Sequence, residues 1–423
     1  MKRVSALLLT CTLGLSALSG CSASAAPQPL SAQPVTISEE EMMRYALETP
    51  AVWSALSEFG LDLLKTARQE GEGTLLSPLS AALALSMAAN GADGETLDQF
   101  REVLGDGASL EALNVSCSAL MKLYGGLGGS TECSIANSLW TDPEGRMQED
   151  FVGRCSGIFD AQVFQEDLSA PVIVPALNSW VSDHTAGMIP QIIQRPFGED
   201  AAALMVNALY LKNTWATKFD PSDTVTRDFT RADGTAEPLD FLQHFSRSLT
   251  YLQSGSDEGV LLPYDDGRLA FFALMPRQSS GVPDFERWLS SLTGEGLSAL
   301  LSGREETFFL RLSLPKFEQE WSGELKDALA ALGLTDAFDP DLADFSLLGD
   351  DPRGYYLSQV IHAARIEVNE EGTEAAPATV VAAASGAAPP QEGVTLIFDR
   401  PFLYGIVDLQ NGVPLFLGTF EGL

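Results

Sequence analysis

An α+β fold with large antiparallel sheets is what this sequence predicts, and three observations predict it. Apolar residues recur at helical spacing through the first half, two-residue alternation takes over from about residue 200, and 45% of the 423 residues are hydrophobic, enough to bury a large core. In "AVWSALSEFGLDLLKTARQ" (51–69) the apolar positions fall on one helical face. "SPLSAALALSMAANGA" (77–92) opens with a serine cap and a proline in the first turn, and it closes on Asn-Gly. The strand-like runs are "AALMVNALYLK", "LAFFALMP", "FFLRLSLPKF", "VIHAARIEVN", "PFLYGIVDL" and "VPLFLGTF". Alternation in the fourth puts His362, Ala364, Ile366 and Val368 on one face and Ala363, Arg365 and Glu367 on the other. Length alone suggests two or three domains, and no internal repeat is visible.

The first 20 residues read as an export signal. Lys2 and Arg3 precede an apolar stretch, and "LSGC" ends it at Cys21. That ending fits a lipoprotein signal peptide, with Cys21 acylated and becoming the new N-terminus; an ordinary secretory peptide cut nearby is the alternative. Residues 21–45 then form a lipidated, flexible tether, and 46–423 the folded domain. The expected location is a bacterial cell surface, membrane-anchored through lipid alone, with shedding as a further fate.

Charge and cysteines bound the chemistry. There are 25 basic against 58 acidic residues, a net charge of −33, which repels nucleic acid and anionic membranes. Past Cys21, only Cys117, Cys133 and Cys155 remain; one disulfide leaves a free thiol and its pairing is open, while three buried free thiols are the simpler expectation. With no CxxC, HExxH, GxSxG or Walker loop, and only His184, His244 and His362, neither a cofactor, a metal site nor a hydrolase triad is expected. The acidic run "DPDLADFSLLGDDP" lacks cation-loop spacing and reads as a solvated loop.

One stretch fits neither core nor ordinary turn. "NEEGTEAAPATVVAAASGAAPPQEG" (369–393) is small, alanine-rich and short of anchoring side chains. Here the sequence resembles the serpin family of protease inhibitors. The resemblance continues in "LSPLSAALAL", "NGADGET", "ANSLW", "LNSWVSDHTAGMI", "VNALYLKNTWATKF", "LPYDDGRLAFFALMP", "LPKFEQE", "ALGLTDAF", "LSQVIHAA" and "RPFLYGIVD", in the family's order from about residue 50 to the C-terminus. It implies one domain of three β-sheets with eight or nine helices, acting as a monomer with an exposed reactive-centre loop at about 370–393.

The resemblance also implies roles. Glu370, Glu371, Gly372, Thr373, Glu374, Ala375, Ala376, Pro377, Ala378 and Thr379 form the hinge that enters the main sheet after cleavage. Gly372 is expected to supply free dihedrals. Ser77, Ser80, Asn207 and His362 form a buried polar cluster beneath the sheet opening, with Trp215 near it, and Lys316 pairs with Glu370 at its top. The family register puts the scissile bond between Gly386 and Ala387, with Ala384 and Ser385 as alternates. Residues 373–391 contain no Lys or Arg, so the implied partners are elastase-like or subtilisin-like serine proteases, with papain-like cysteine proteases next. Pro377 departs from the family pattern, because proline donates no hydrogen bond within a sheet. A substrate-like or non-inhibitory surface protein is the alternative it raises.

Overall fold

The computed structural model describes residues 26–246, 249–277, 285–303, 309–352, 354–373 and 393–423. Helix Thr49–Ala67 begins with a proline in its first turn and buries the face of Val52, Leu56, Phe59, Leu63 and Leu64. Helix Pro78–Ala89 is capped by Ser77, whose Oγ accepts from the Ser80 amide at 3.2 Å. Each of its residues is buried, and an all-round apolar helix fits only the middle of a core. Ten α-helices occur among the described residues, more than the eight or nine expected; one of them, Glu39–Tyr45, lies in the stretch read as tether.

Three large sheets frame the core. The main one runs in the order Phe317–Glu324, Leu357–Val368, Gly372–Thr373, Ala203–Thr214, Glu132–Thr141, Gln162–Gln165. A second, antiparallel sheet runs Thr74–Leu76, Pro414–Phe420, Phe402–Asp408, Leu269–Pro276, Asp257–Pro263, Thr250–Ser254. The third runs Gly393–Ile397, Phe309–Pro315, Ala236–Ser246, Val225–Thr230. Helix Pro78–Ala89 packs on one face of the main sheet. Helix Ile173–His184 covers the other, over Leu204, Val206, Ala208, Ile361 and Ala363. That cover is why Ile361 and Ala363 are buried along with the His362 face.

Two expectations need correcting. The 26–45 part of the supposed flexible tether is docked. The Leu30 amide donates to the Val163 carbonyl at 2.7 Å and the Val35 amide to Gly153 at 2.8 Å. Gly153 and Gly157 leave room for it, since a Cβ on either would lie 2.4 Å from Gln33 O or 2.1 Å from Val35 O. Partly buried Leu30, Ala32 and Ile37 supply the apolar contacts that hold the stretch down, and a serine cap at Ser38 then starts helix Glu39–Tyr45. The acidic loop is likewise not simply solvated, because Phe345 and Leu348 are buried. Cys117, Cys133 and Cys155 are all free thiols; burial pushes the Cys117 thiol up to about 11. Among the described residues no helix is long and apolar enough to cross a membrane.

Candidate functional site: a sheet opening and its polar floor

Strands Ala203–Thr214 and Leu357–Val368 lie side by side at one end and separate at the other. At the closed end they pair in parallel, from Leu357↔Ala203 to Ala363↔Ala208. At the open end Gly372–Thr373 sits between them, antiparallel to both: Gly372↔Thr214, Thr373↔Asn213 and Val368↔Thr373. In between, the facing edges of residues 209–212 and 364–367 have no cross-strand partner among the described residues. The result is a slot one strand wide, already entered from its top.

Hydrogen bonds fix the parity of that entry. The Trp215 amide donates to Glu371 O at 3.0 Å, and the Asn369 amide donates to Gly372 O at 3.1 Å. Odd-numbered residues of this segment therefore face strand Ala203–Thr214, and even-numbered ones face Leu357–Val368. Where Gly372 stands, the neighbouring strand leaves no room for a side chain. Its φ is not positive, but a Cβ there would fall 2.0 Å from Asn213 O and 2.8 Å from Thr214 Cα. Close strand approach demands glycine here.

The top of the slot is clasped by polar contacts. Lys316 Nζ meets Glu370 Oε2 at 2.8 Å, Thr224 Oγ1 donates to Glu370 Oε1 at 2.9 Å, and Lys218 pairs with Glu371. Burial pushes the Glu370 carboxyl up, but hydrogen bonds from Lys316, its own backbone and Thr224 outweigh it and hold it below the ordinary glutamate range. Asn369 Oδ1 accepts from the amides of Glu371 at 2.9 Å and Gly372 at 3.2 Å, closing an Asx turn. Trp215 Nε1 donates to Asn369 O at 2.8 Å, and its ring stacks on Tyr264 at 4.9 Å. The Tyr264 hydroxyl is hydrogen-bonded to Thr373, which is 1% exposed. Glu370 to Thr373 are thus anchored residues.

Beneath the closed end lies the polar floor. His362 Nε2 accepts from the Ser77 amide at 3.0 Å, so its proton sits on Nδ1, 2.6 Å from Asn207 Oδ1. Ser80 Oγ donates to the same oxygen at 3.3 Å, and Ser77 Oγ donates to Leu415 O at 2.8 Å. Desolvation drives the His362 pKa down to about 3, so the ring is neutral. Asn207 Nδ2 and both amide atoms of Asn137, its cross-strand neighbour, are buried without a partner among the described residues. His184 stacks on Trp180 and His244 lies edge-on to Phe219, so the three histidines do not meet.

The structure brings together Ser77, Ser80, Asn207 and His362 at the floor, and Trp215, Lys316, Glu370, Glu371, Gly372 and Thr373 at the top. Glu374, Ala375, Ala376, Pro377, Ala378, Thr379, Ala384, Ser385, Gly386, Ala387 and Cys21 lie outside the described residues. Sequence reasoning missed Lys218, Thr224, Tyr264, Asn137 and Asn369. Only Asn369 carried a local signal, an asparagine placed to bond amides two and three residues on; the rest are brought in by tertiary packing.

This geometry, a main sheet split around the start of an alanine-rich segment, has a family counterpart. A family model described as Serpin (serine protease inhibitor) matches residues 54–422. The chain belongs to the serpin family. It is 32% identical to Serpin-ZXA of Oryza sativa subsp. japonica over 362 residues, covering 82% of this chain and 89% of that protein. To plasminogen activator inhibitor 1 of Neovison vison it is 31% identical over 394 residues, covering 90% and 94%. Among solved structures, the thermophilic serpin tengpin in its native state superposes with a TM-score of 0.81 at 30% identity, covering 94% of this chain and 97% of that one. The latent state of tengpin gives 0.74, covering 92% of this chain and 100% of that one. Membership makes this serpin a protease inhibitor and not an enzyme, with target proteases as its partners.

Proposed function

We propose that this serpin is a suicide inhibitor of serine proteases that accept small residues, working by insertion of its cleaved loop into the slot. The observation that carries the reading is the pre-started antiparallel register of Gly372 and Thr373. Extended residue by residue, that register would bring Ala375 opposite Leu211, Pro377 opposite Leu209 and Thr379 opposite Asn207. On the other edge Thr379 would meet His362. Its hydroxyl would arrive where Asn207 Nδ2 lacks a partner, taking over part of the floor as the parallel ladder parts.

The chemistry is the protease's own. Its serine hydroxyl adds to the Gly386 carbonyl carbon, the bond to Ala387 breaks, the new amine leaves with a proton, and an ester joins enzyme to inhibitor. Insertion then exchanges one parallel pairing for two antiparallel ones. On the order of ten new residues at about 0.5–1.5 kcal/mol per hydrogen bond give on the order of 10 kcal/mol, comparable to the stability of a domain. If the enzyme is dragged along before water attacks the ester, its oxyanion hole and triad are distorted and hydrolysis stops. Gly386 and its alternates Ala384 and Ser385 suit the narrow pockets of elastase-like and subtilisin-like enzymes; papain-like proteases come next. Acylation at Cys21 would hold the inhibitor at the surface of a bacterial cell.

The test is a denaturing gel and a melt. Incubation with pancreatic elastase or subtilisin should leave a covalent complex that survives detergent, and mass spectrometry should find the cut after Gly386 or an alternate. Loop-cleaved protein should melt far above the intact protein; equal melting temperatures would sink the insertion mechanism.

A further inference from the structure

Beside the loop's return to the body, the third sheet carries an aromatic and cationic spot that neither the core nor the clasp uses. Phe245 is 55% exposed, one residue from the end of strand Ala236–Ser246 and beyond the reach of strand Val225–Thr230, so only Arg311 pairs with it. Its ring lies 4.8 Å from that of half-buried Phe309, and the exposed Arg311 guanidinium stands 5.1 Å over it. Register explains the cluster. Arg311 is paired with Phe245 on one side and Thr395 on the other, and Phe309 is paired with Gly393. Among the described residues no carboxylate pairs with Arg311, although the chain carries 58 of them. A cation with no carboxylate partner among the described residues, beside an exposed phenylalanine on a protein of net charge −33, is the local opposite of its surroundings.

We infer that Phe245, Phe309 and Arg311 form a docking surface for the protease that attacks the loop, engaging a carboxylate flanked by an apolar side chain on the rim of that enzyme's active site. This rests on the inhibitory reading above. Position selects the occupant. Gly393, where the described chain resumes after the loop, lies directly against Phe309, and the seven residues from Gly386 to Gly393 span at most about 25 Å even fully extended. A standard interface covers about 800 Å² per partner, a disc about 16 Å in radius, so an enzyme seated on the scissile bond overhangs this spot unless those seven residues are close to fully extended. Loop side chains this small give an attacking protease little specific contact. The aromatic pair supplies the type of anchor that dominates interfaces, and Arg311 supplies steering.

The experiment reads the rate of loop cleavage, whether or not a covalent complex follows. Wild type, Phe245→Ser, Arg311→Glu and Arg311→Lys are each treated with pancreatic elastase, subtilisin and papain at low and high salt, beside a free peptide of residues 379–393. Phe245→Ser and Arg311→Glu are expected to slow cleavage by at least one protease about tenfold at low salt. Arg311→Lys keeps most of the rate, the loss with Arg311→Glu shrinks at high salt, and the peptide is cut at its own fixed rate. The melting temperature of the intact variants stays at the wild-type value, which separates docking from folding. Wild-type cleavage rates in both variants with every protease overturn the proposal while leaving the inhibitory reading intact. Cleavage that is patch-dependent but forms no covalent complex sinks the inhibitory reading and keeps the patch. Resistance of the loop to all three enzymes overturns both. Self-association that Phe245→Ser abolishes assigns the surface to a second copy and overturns the protease assignment.

Discussion

Replacing Pro377 with alanine should make this serpin a more efficient trap, and the gain follows from strand parity. Because the Trp215 amide reaches Glu371 O and the Asn369 amide reaches Gly372 O, odd-numbered loop residues would face strand Ala203–Thr214 once inserted in the same register. Residue 377 would then aim its nitrogen at the carbonyl of Leu209, and proline has no hydrogen to give. Insertion of the wild-type loop forgoes one bond of about 0.5–1.5 kcal/mol and strands a buried carbonyl at about 1–3 kcal/mol. Against a driving force on the order of 10 kcal/mol this slows insertion without abolishing it. If half of about 2 kcal/mol is felt at the barrier, Pro377→Ala speeds insertion roughly fivefold relative to deacylation. The assay is titration of a fixed amount of pancreatic elastase. The variant should need fewer inhibitor molecules per enzyme silenced, and its cleaved form should melt a few degrees above cleaved wild type. Ala375→Pro, which has the same parity, should do the reverse. Equal titration end-points and equal melting temperatures for wild type and Pro377→Ala would refute the parity argument.

Other consequences are equally accessible. Glu370 has its pKa lowered in the fold, so the clasp's contribution is complete above the ordinary glutamate value of about 4.5 and is lost as pH falls through the folded value. Spontaneous conversion to a loop-inserted, inactive monomer should therefore accelerate below about pH 4.5 in wild type but not in Glu370→Gln, which should already convert faster at pH 7; native gels follow both. His362 also has a depressed pKa, about 3, so the neutral floor is fully stabilising above pH 6.5 and weakens as pH drops below it. The slope should approach about 1.4 kcal/mol per pH unit in denaturant titrations and flatten in His362→Gln. Gly372→Val places side-chain atoms against Asn213 O and should expel the loop start, raising trypsin sensitivity at Lys218 in limited proteolysis.

What the sequence made legible was local or ordered along the chain. Ser77 before Pro78 announces a capped helix, the 361–368 alternation puts His362 on one face with Ala364, Ile366 and Val368, and a dozen fragments in family order imply one domain in place of two or three. Contacts made only by folding stayed hidden. Nothing in "NTWATKF" says that Lys218 reaches Glu371, and nothing near Tyr264 points to Thr373, more than a hundred residues away. The crowding at Gly372 stayed hidden too, since a glycine's need for space depends on a strand that arrives from elsewhere. The 26–45 stretch reads as linker because its small and polar residues disguise the complementary notch, which is made by glycines 153 and 157.

That docked stretch would change how a lipid-anchored form of the inhibitor hangs from a membrane. With Cys21 acylated, only about eight residues separate the lipid from Leu30, whose amide is fastened to the outermost strand of the main sheet. Such a leash reaches about 28 Å, well short of a body roughly 50 Å across. The molecule could not tumble like a tethered balloon. It would stand with the Gln162–Gln165 flank toward the bilayer, the edge strand of the main sheet nearest the lipid.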